Sequence, residues 1–184
     1  LWDRTGRPDV AWIELGPGRG TLAADALRAM AKAGLTPPVH LVETSPALRA
    51  KQAEQVPDAR WHDTVDSLPT DRPLIIVANE FFDALPIRQF VRVERGWAER
   101  MVTVRDGALG FALAAPVDLP REAPLGEVFE DRPGAAAVVA EVARRIVARG
   151  GVAILVDYGT WDGRGDSLQA LRRHGFEDPL ANPG

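Results

Sequence analysis

The stretch V-A-W-I-E-L-G-P-G-R-G-T, Val10–Thr21, decides the fold predicted for this chain. Its first half, Val10–Leu15, is a short and mostly apolar run of strand-forming residues. Glycines then alternate with other residues before a helix-patterned segment begins. An ordinary turn between a strand and a helix needs one glycine, whereas a loop whose backbone approaches a ligand needs several, because a Cβ would block the approach. The stretch therefore predicts a nucleotide-binding loop after a first β-strand, formed by Gly16, Gly18 and Gly20.

Segments typical of helices and strands alternate through much of the chain. Helices are predicted from Thr21 to the glycine at position 34, over Ala47–Gln55 with Pro46 as the first residue, and over Ala135–Arg149. Apolar runs predict further strands at Val39–Glu43, Ala59–His62, Pro73–Ala78 and Val152–Asp157. This alternation predicts a doubly wound α/β sheet.

The pattern changes between residues 88 and 130. Gln89–Glu94, Ala98–Val104 and Leu109–Leu113 are strand-like, and Asp106-Gly107 between the last two is a strong hairpin signal. A proline-rich connector follows. The sequence thus predicts a β-meander with its connector, residues 88–130, inserted in a single domain that covers residues 1–184.

Composition excludes several classes of function. The net charge of −4 argues against a general nucleic-acid binder, and the absence of cysteine excludes disulfides, thiolate metal sites and a cysteine nucleophile. Neither a membrane-length apolar run nor a signal peptide is visible, which predicts a cytoplasmic protein. The three histidines show no metal-ligand spacing, so no metal site is predicted. Since the chain starts without methionine and stops in loop-like sequence, we expect it to be part of a longer protein.

The glycine spacing and the nearby acids indicate which nucleotide is bound. A dinucleotide fingerprint is G-x-G-x-x-G, whereas this chain has G-x-G-x-G preceded by Glu14. A carboxylate at that position would repel a pyrophosphate and attract a positively charged ligand, which disfavours an NAD-dependent oxidoreductase. Glu43, at the end of the second predicted strand, can accept hydrogen bonds from both hydroxyls of a ribose. Asp63, after the third, can accept one from an adenine amino group.

Several motifs together resemble those of the MidA-type methyltransferases. E-x-G-x-G-x-G is similar to motif I of class I S-adenosylmethionine-dependent methyltransferases, and the more specific stretches are N-E-F-F-D-A-L-P from Asn79 onward and the tail D-P-L-A-N-P-G. The matches extend from about Ala11 to Gly184. MidA-type proteins are the bacterial relatives of the mitochondrial complex I assembly methyltransferase. The eukaryotic branch of this family methylates an arginine of a complex I subunit.

This resemblance implies a Rossmann-like class I methyltransferase sheet, S-adenosyl-L-methionine as the cofactor and a protein substrate, with a respiratory complex subunit as one candidate. It also implies additional sequence on both sides of this region. The amphipathic strands of the meander could form the contact face of a homodimer or could simply cover the domain. By the resemblance, the cofactor contacts are Glu14, Gly16, Pro17, Gly18, Gly20, Thr21, Glu43, Ser45, Asp63 and Asn79.

The residues after the fourth predicted strand, Asn79–Asp83, are the candidate catalytic group. A guanidinium substrate stays protonated at neutral pH, so carboxylates must bind it and concentrate its charge away from the attacking nitrogen. Glu80 and Asp83 are three residues apart, and a helical turn would place both on one face. Asn79 offers an amide oxygen to a substrate N–H. Phe81 and Phe82 could stack on a guanidinium or belong to the core.

Two functions of different classes remain open at this point. One is a methyltransferase that acts on protein arginine. The other is a non-catalytic assembly factor that binds the cofactor and works through protein contacts. The paired acids Glu80 and Asp83 favour the enzyme, because a scaffold would not need them beside a methyl donor. Small-molecule acceptors also stay open, since no residue pattern names the substrate.

Overall fold

The structure is a computed structural model that describes residues 2–158 and 165–182. The chain divides into two compact units, one formed by residues up to Leu85 together with Ala135–Tyr158, the other by Pro86–Gly134 with the residues after position 158. In the described residues the helices and strands are β1 (Ala11–Leu15), α1 (Thr21–Lys32), β2 (Val39–Val42), α2 (Pro46–Gln55), β3 (Arg60–His62), β4 (Leu74–Asn79), β5 (Arg88–Val93), β6 (Gly96–Arg105), β7 (Ala108–Leu113), β8 (Val128–Asp131), α3 (Pro133–Arg149), β9 (Gly151–Val156), β10 (Ala170–Arg172) and β11 (Gly175–Glu177).

The first unit is built on a parallel sheet with strand order β3-β2-β1-β4-β9. All five residues of β1 are buried, because it is the central strand and both of its faces are covered. One face contributes Ile13, Leu15 and Ile76 to a core cluster that includes Val142 of α3. The other face packs Trp12 and Leu41 against the small side chains of α1. The predicted α/β sheet and its order of elements are confirmed.

A buried arginine connects α3 to the segment before β4. Arg145 is only 4% exposed. Its guanidinium donates to the carbonyl oxygens of Asp66 and Leu68, both at 2.6 Å, and to the carboxylate of Glu141 at 2.6 Å. These bonds satisfy a charge that would otherwise be costly to bury, and they tie α3 to the segment leading into β4.

The second unit contains an antiparallel sheet of order β7-β6-β5-β8 and the separate β10-β11 hairpin. Trp97 is fully buried in this unit, at 1% exposed, and its indole donates to the carbonyl of Arg121 at 3.0 Å. The predicted meander is therefore present as β5, β6 and β7. A fourth strand, β8, lies where we expected only a connector, because Gln89 and Phe90 of β5 pair with Glu130 and Phe129.

Candidate functional site

The site lies where the strand order of the parallel sheet reverses. From β1 the chain proceeds to β2 and β3 on one side and then returns to place β4 on the other side of β1. In open α/β sheets, ligands bind beyond the carboxyl ends of the strands at such a switch point. The glycine loop follows β1 and Glu80 follows β4, so both predicted halves of the site meet there.

The glycine loop is shaped by two packing contacts and one open position. Gly16, Gly18 and Gly20 have φ values of +61°, +54° and +82°. A Cβ on Gly16 would lie 2.8 Å from the ring of Phe81, and one on Gly20 would lie 3.4 Å from the backbone of Gln52. A Cβ on Gly18 would meet no protein atom within 4 Å. Two glycines thus allow close packing, and the third leaves its backbone open to a ligand.

The helix that follows the loop begins without a side-chain cap. Pro17 is buried, and its carbonyl accepts a hydrogen bond from the Gly20 amide at 2.8 Å. Gly20 is the N-cap residue of α1, and Thr21 is the first helical residue and is exposed. A helix N-terminus with no capping side chain presents amide donors to a bound ligand.

Glu14 is a buried carboxylate near the start of α1. It is 3% exposed, and its Oε2 atom has no hydrogen-bond partner. Burial raises the pKa of Glu14 from 4.5 to about 7, although a hydrogen bond from the Ala23 amide acts in the opposite direction. An unpartnered buried carboxyl oxygen beside the glycine loop fits a cationic ligand and disfavours an anionic one.

Glu43 is held in place by two donors. Its Oε1 accepts a hydrogen bond from the Ser45 amide at 2.8 Å, and its Oε2 accepts one from the Gln52 side chain at 3.3 Å. An ionised carboxylate has about four acceptor sites, so two stay available for the two hydroxyls of a ribose. Ser45 is the N-cap of α2, and its hydroxyl accepts from the Leu48 amide at 3.4 Å.

Asp63 is an exposed acid engaged by an arginine. Its Oδ1 accepts from Arg49 at 2.6 Å, and the Nε of Arg49 also donates to the main-chain carbonyl of Glu43 at 2.7 Å. Arg49 therefore links the ends of β2 and β3, where the ribose and adenine groups were predicted. The role of Asp63 toward adenine stays a prediction.

The predicted catalytic residues lie at the ends of β4 and β9. Asn79 is the last residue of β4, is exposed and pairs in register with Val156. The Glu80 amide donates to the Val156 carbonyl at 2.9 Å. This places the Glu80 side chain beside Asp157, which follows β9. The carboxylates of Glu80, Asp83 and Asp157 have oxygen atoms within 4.8 Å of one another.

Glu80 and Asp83 lie close together, but the backbone between them is not the helical turn that we predicted. Glu80 has a left-handed φ of +53°, and Asp83 lies in a short 3₁₀ turn, Phe82–Ala84. A non-glycine residue in this region is uncommon and, where it does not belong to an ordinary turn, can mark a functional site. The expected proximity is correct, but the expected helix is wrong, because Glu80 instead continues the hydrogen bonding of β4 to β9.

The three acids repel one another. Partial burial raises the pKa of Glu80 above its usual value, and the negative charges of Asp157 and Asp83 raise it further. The Oε1 atom of Glu80 is inaccessible to solvent and has no hydrogen-bond partner. A cation placed among these carboxylates would relieve the repulsion and favour the ionised form of Glu80.

Phe81 packs against the core. It packs against the cluster that contains Ile13 and Ile76, and its ring lies under Gly16. Phe82 is half-buried and contacts Phe81 edge-on, with ring centroids 5.4 Å apart. Tyr158, beside the acids, is 84% exposed.

Two histidines that are distant in sequence meet in the structure. His40 Nδ1 and His62 Nε2 lie 2.8 Å apart, and His62 Nδ1 lies 2.8 Å from the Ser67 hydroxyl. Burial and the proximity of His62 lower the pKa of His40 from 6.5 to about 4. The pair is thus a neutral hydrogen-bonded chain at neutral pH.

Sequence reasoning missed Gln52, which contacts both the glycine loop and Glu43. Its side chain is fully buried, at 0% exposed. The available signal was the glutamine on the side of α2 that faces the sheet, one turn before Val56. Asp157 has a clearer signal, because it ends the apolar predicted strand Val152–Asp157 and is therefore expected at the same edge of the sheet as Glu80.

Comparison with known proteins gives a consistent family. Residues 1–184 match a family described as "Putative S-adenosyl-L-methionine-dependent methyltransferase". The chain is 32% identical over 222 residues to the mitochondrial protein arginine methyltransferase NDUFAF7 of Xenopus tropicalis, covering 100% of this chain and 51% of that protein. It is 34% identical over 221 residues to the Mus musculus protein of the same name, covering 100% and 50%. The chain thus spans about half the length of the curated relatives it matches.

Solved structures agree with this assignment. A Burkholderia thailandensis protein crystallised with S-adenosyl-homocysteine superposes with a TM-score of 0.74 at 30% identity, over 98% of this chain and 51% of that one. A second structure from the same organism gives a TM-score of 0.75 at 30% identity, over 98% of this chain and 53% of that one.

Within residues 2–158 and 165–182, no helix combines the length and hydrophobicity needed to cross a bilayer.

Proposed function

This chain belongs to the S-adenosyl-L-methionine-dependent methyltransferase family, and we propose that the intact protein methylates an arginine side chain of a protein substrate. The observation that carries the proposal is the group of three carboxylates, Glu80, Asp83 and Asp157, at the switch point beside the glycine loop. The names of the matched relatives support arginine as the acceptor.

In this proposal the glycine loop and Glu43 bind the cofactor. The cofactor, when bound, supplies a methyl group on a positively charged sulfur, which is already activated for transfer. Glu43 would accept from the ribose hydroxyls with the oxygen sites that Ser45 and Gln52 leave available. Glu14, with its unpartnered oxygen, would attract the positive charge of the ligand. The family's cofactor thus fits the residues present.

The acids bind and orient the acceptor. A guanidinium donates several N–H bonds in one plane, and carboxylates on two strand ends can accept them from two directions. Their charge holds the positive charge of the guanidinium away from the nitrogen that attacks. Methylation of a guanidinium releases one proton. Glu80, whose pKa is raised, is the carboxylate best suited to accept that proton.

The test uses the intact protein with methyl-labelled S-adenosyl-L-methionine and purified respiratory complex subunits. We expect label in a protein acceptor, with methylarginine identified by mass spectrometry. Binding of S-adenosyl-homocysteine without any transfer would favour the non-catalytic assembly factor. Three carboxylates are also ligands that Mg²⁺ or Ca²⁺ prefers, so the assay is repeated with a chelator. Loss of transfer on chelation would argue that the acids hold a metal and not the guanidinium.

Three further parts of the proposal concern the protein's setting. A respiratory complex subunit as the substrate is supported by the resemblance to the MidA-type proteins. A homodimer and a cytoplasmic location stay predictions from the sequence. Native mass spectrometry of the intact protein and fractionation of its host cells would test these two.

A further inference from the structure

Gln52 makes three side-chain hydrogen bonds from a fully buried position. Its Nε2 donates to the carbonyl of Gly18 at 2.7 Å and to Oε2 of Glu43 at 3.3 Å. Its Oε1 accepts from the indole N–H of Trp61 at 2.8 Å. The residue is 0% exposed, and its backbone lies against Gly20. One side chain thus contacts both the glycine loop and the acid at the end of β2.

The orientation of this amide is determined by its neighbours. The Trp61 indole can only donate, and the Gly18 carbonyl and the Glu43 carboxylate can only accept. Reversing the amide would place donor against donor at Trp61 and acceptor against acceptor at the other two contacts. Only one orientation satisfies all three groups, so the two N–H donors are directed to Gly18 and Glu43.

We propose that Gln52 is a positioning residue that sets the glycine loop and the Glu43 carboxylate in the arrangement that binds the cofactor. The bond to Gly18 acts on the loop residue whose backbone is open to a ligand. The bond to Glu43 holds Oε2 without adding a charge that would compete with ribose hydroxyls. Both bonds start from one nitrogen, so the distance between loop and acid is fixed by a single buried group.

This inference rests on the proposed function, because it concerns the same cofactor site. The probe is S-adenosyl-homocysteine, whose dissociation constant for the intact protein is measured by calorimetry well below the unfolding temperature. Gln52→Met keeps a side chain of similar length and removes all three hydrogen bonds. Gln55→Met makes the same change at an exposed position of α2 and is the matched control. We expect at least tenfold weaker binding for Gln52→Met and a change below twofold for the control.

A second pair of variants separates positioning from stability. Gln52→Glu retains the acceptor for Trp61 but replaces the donors with a carboxylate facing Glu43. We expect its affinity, relative to wild type, to recover as the pH falls, because a protonated carboxyl can donate one hydrogen bond again. Trp61→Phe removes only the bond on the acceptor side. It should lower the unfolding temperature while leaving the affinity within about threefold.

A double-variant cycle tests whether Gln52 acts through Glu43. If it does, Gln52→Met combined with Glu43→Gln should lose clearly less affinity than the product of the two single losses. Wild-type affinity in a folded Gln52→Met or Gln52→Glu variant would overturn the inference while the proposed function stands. An affinity loss in Trp61→Phe as large as that in Gln52→Glu would also overturn it, because a general loss of stability would then explain both. Absence of binding by the wild-type protein would overturn the inference and the proposed function together.

Discussion

The two halves of the candidate site differ in how their polar groups are satisfied. On the cofactor side, Glu43 has a donor at each oxygen, and Gln52 has partners at both ends of its amide. On the acceptor side, Glu80, Asp83 and Asp157 face one another, and one oxygen of Glu80 has no hydrogen-bond partner. Glu43 and Gln52 are thus positioned without a ligand, whereas the acids leave one oxygen of Glu80 that a bound cation could contact. Binding and chemistry should therefore be separable by mutation.

The largest effect is expected on the acceptor side. Asp83→Ala should lower the rate of methyl transfer by about 10²-fold or more, since it removes one of the charges that orient the guanidinium. Its affinity for S-adenosyl-homocysteine should stay within a few fold of wild type. Initial rates and calorimetry on the intact protein measure the two quantities, with Asp58→Ala, an exposed acid of the same unit, as the control. Unchanged turnover would contradict the assignment.

On the cofactor side we expect a smaller effect, mainly on the affinity for the cofactor and less on the transfer rate. Glu43→Ala should weaken S-adenosyl-homocysteine binding by roughly 10- to 100-fold, because we expect a net loss equal to one hydrogen bond to a charged group, about 1.5–3 kcal/mol. At saturating cofactor the transfer rate should fall much less than in Asp83→Ala. Calorimetry shows the first effect and saturation kinetics the second. Glu54→Ala on the exposed face of α2 is the control, and equal affinities in both variants would exclude Glu43 from the ribose site.

Glu14 is an exception on the cofactor side, and its pKa gives a testable dependence of stability on pH. Because the pKa in the folded state is raised from 4.5 to about 7, the folded protein holds a proton that the unfolded chain releases. This group therefore favours folding below pH 4.5, and its contribution is lost as the pH rises to about 7. Relative to wild type, Glu14→Gln should gain up to roughly 3 kcal/mol of unfolding free energy across that window.

Denaturant unfolding of both proteins at a series of pH values measures this gain. The comparison uses the change with pH and not the difference at a single pH, so that a constant cost of burying the amide cancels. A difference that stays constant from pH 4.5 to 7 would show that Glu14 has an ordinary pKa in the folded protein.

The smallest effect is expected for Asp157. Its negative charge helps to raise the pKa of Glu80, so Asp157→Asn should lower that pKa. If ionised Glu80 is required for catalysis, the acidic limb of the kcat/KM profile should move to lower pH, and the shift should be small because salt screens an exposed pair. The pH profile of methyl transfer checks this. A limb that moves to higher pH would mean that Asp157 stabilises the ionised form of Glu80.

Local patterns predicted most of the secondary structure, and where they failed the reason is tertiary. The bounds of the predicted strands in the parallel sheet lie within two residues of those observed. Continuous apolar runs, and the glycine or proline residues that bound them, are local signals. β8 was missed because Val128–Asp131 is short and is a strand only through its pairing with β5. The β10-β11 hairpin was missed because its turn uses Arg173 and His174 at positive φ in place of glycine.

For the site, sequence identified individual residues and the structure showed their relations. Glycine spacing and strand ends pointed to the glycine loop and to the acids Glu43, Glu80 and Asp83, while the full set of cofactor contacts came from the family resemblance. The binding roles of all these residues stay predictions. The hydrogen bond between His40 and His62 depends on the parallel pairing of β2 with β3, which no local pattern specifies. Glu80 likewise combines a left-handed backbone with a hydrogen bond to Val156, more than seventy positions away in the chain, and no local pattern specifies this bond.

The amino-acid sequence by itself determined the glycine loop, the alternation of strands and helices, and the acids at or just beyond the carboxyl ends of β1, β2 and β4, since each depends on residues close together in the chain. It also carried the family resemblance that the comparisons confirm. Only the tertiary structure decided that Gln52 bonds to Gly18 and Glu43, and that Asp157 joins Glu80 and Asp83. The physical reason is that these contacts require helix packing and strand register, which bring distant residues within hydrogen-bonding distance.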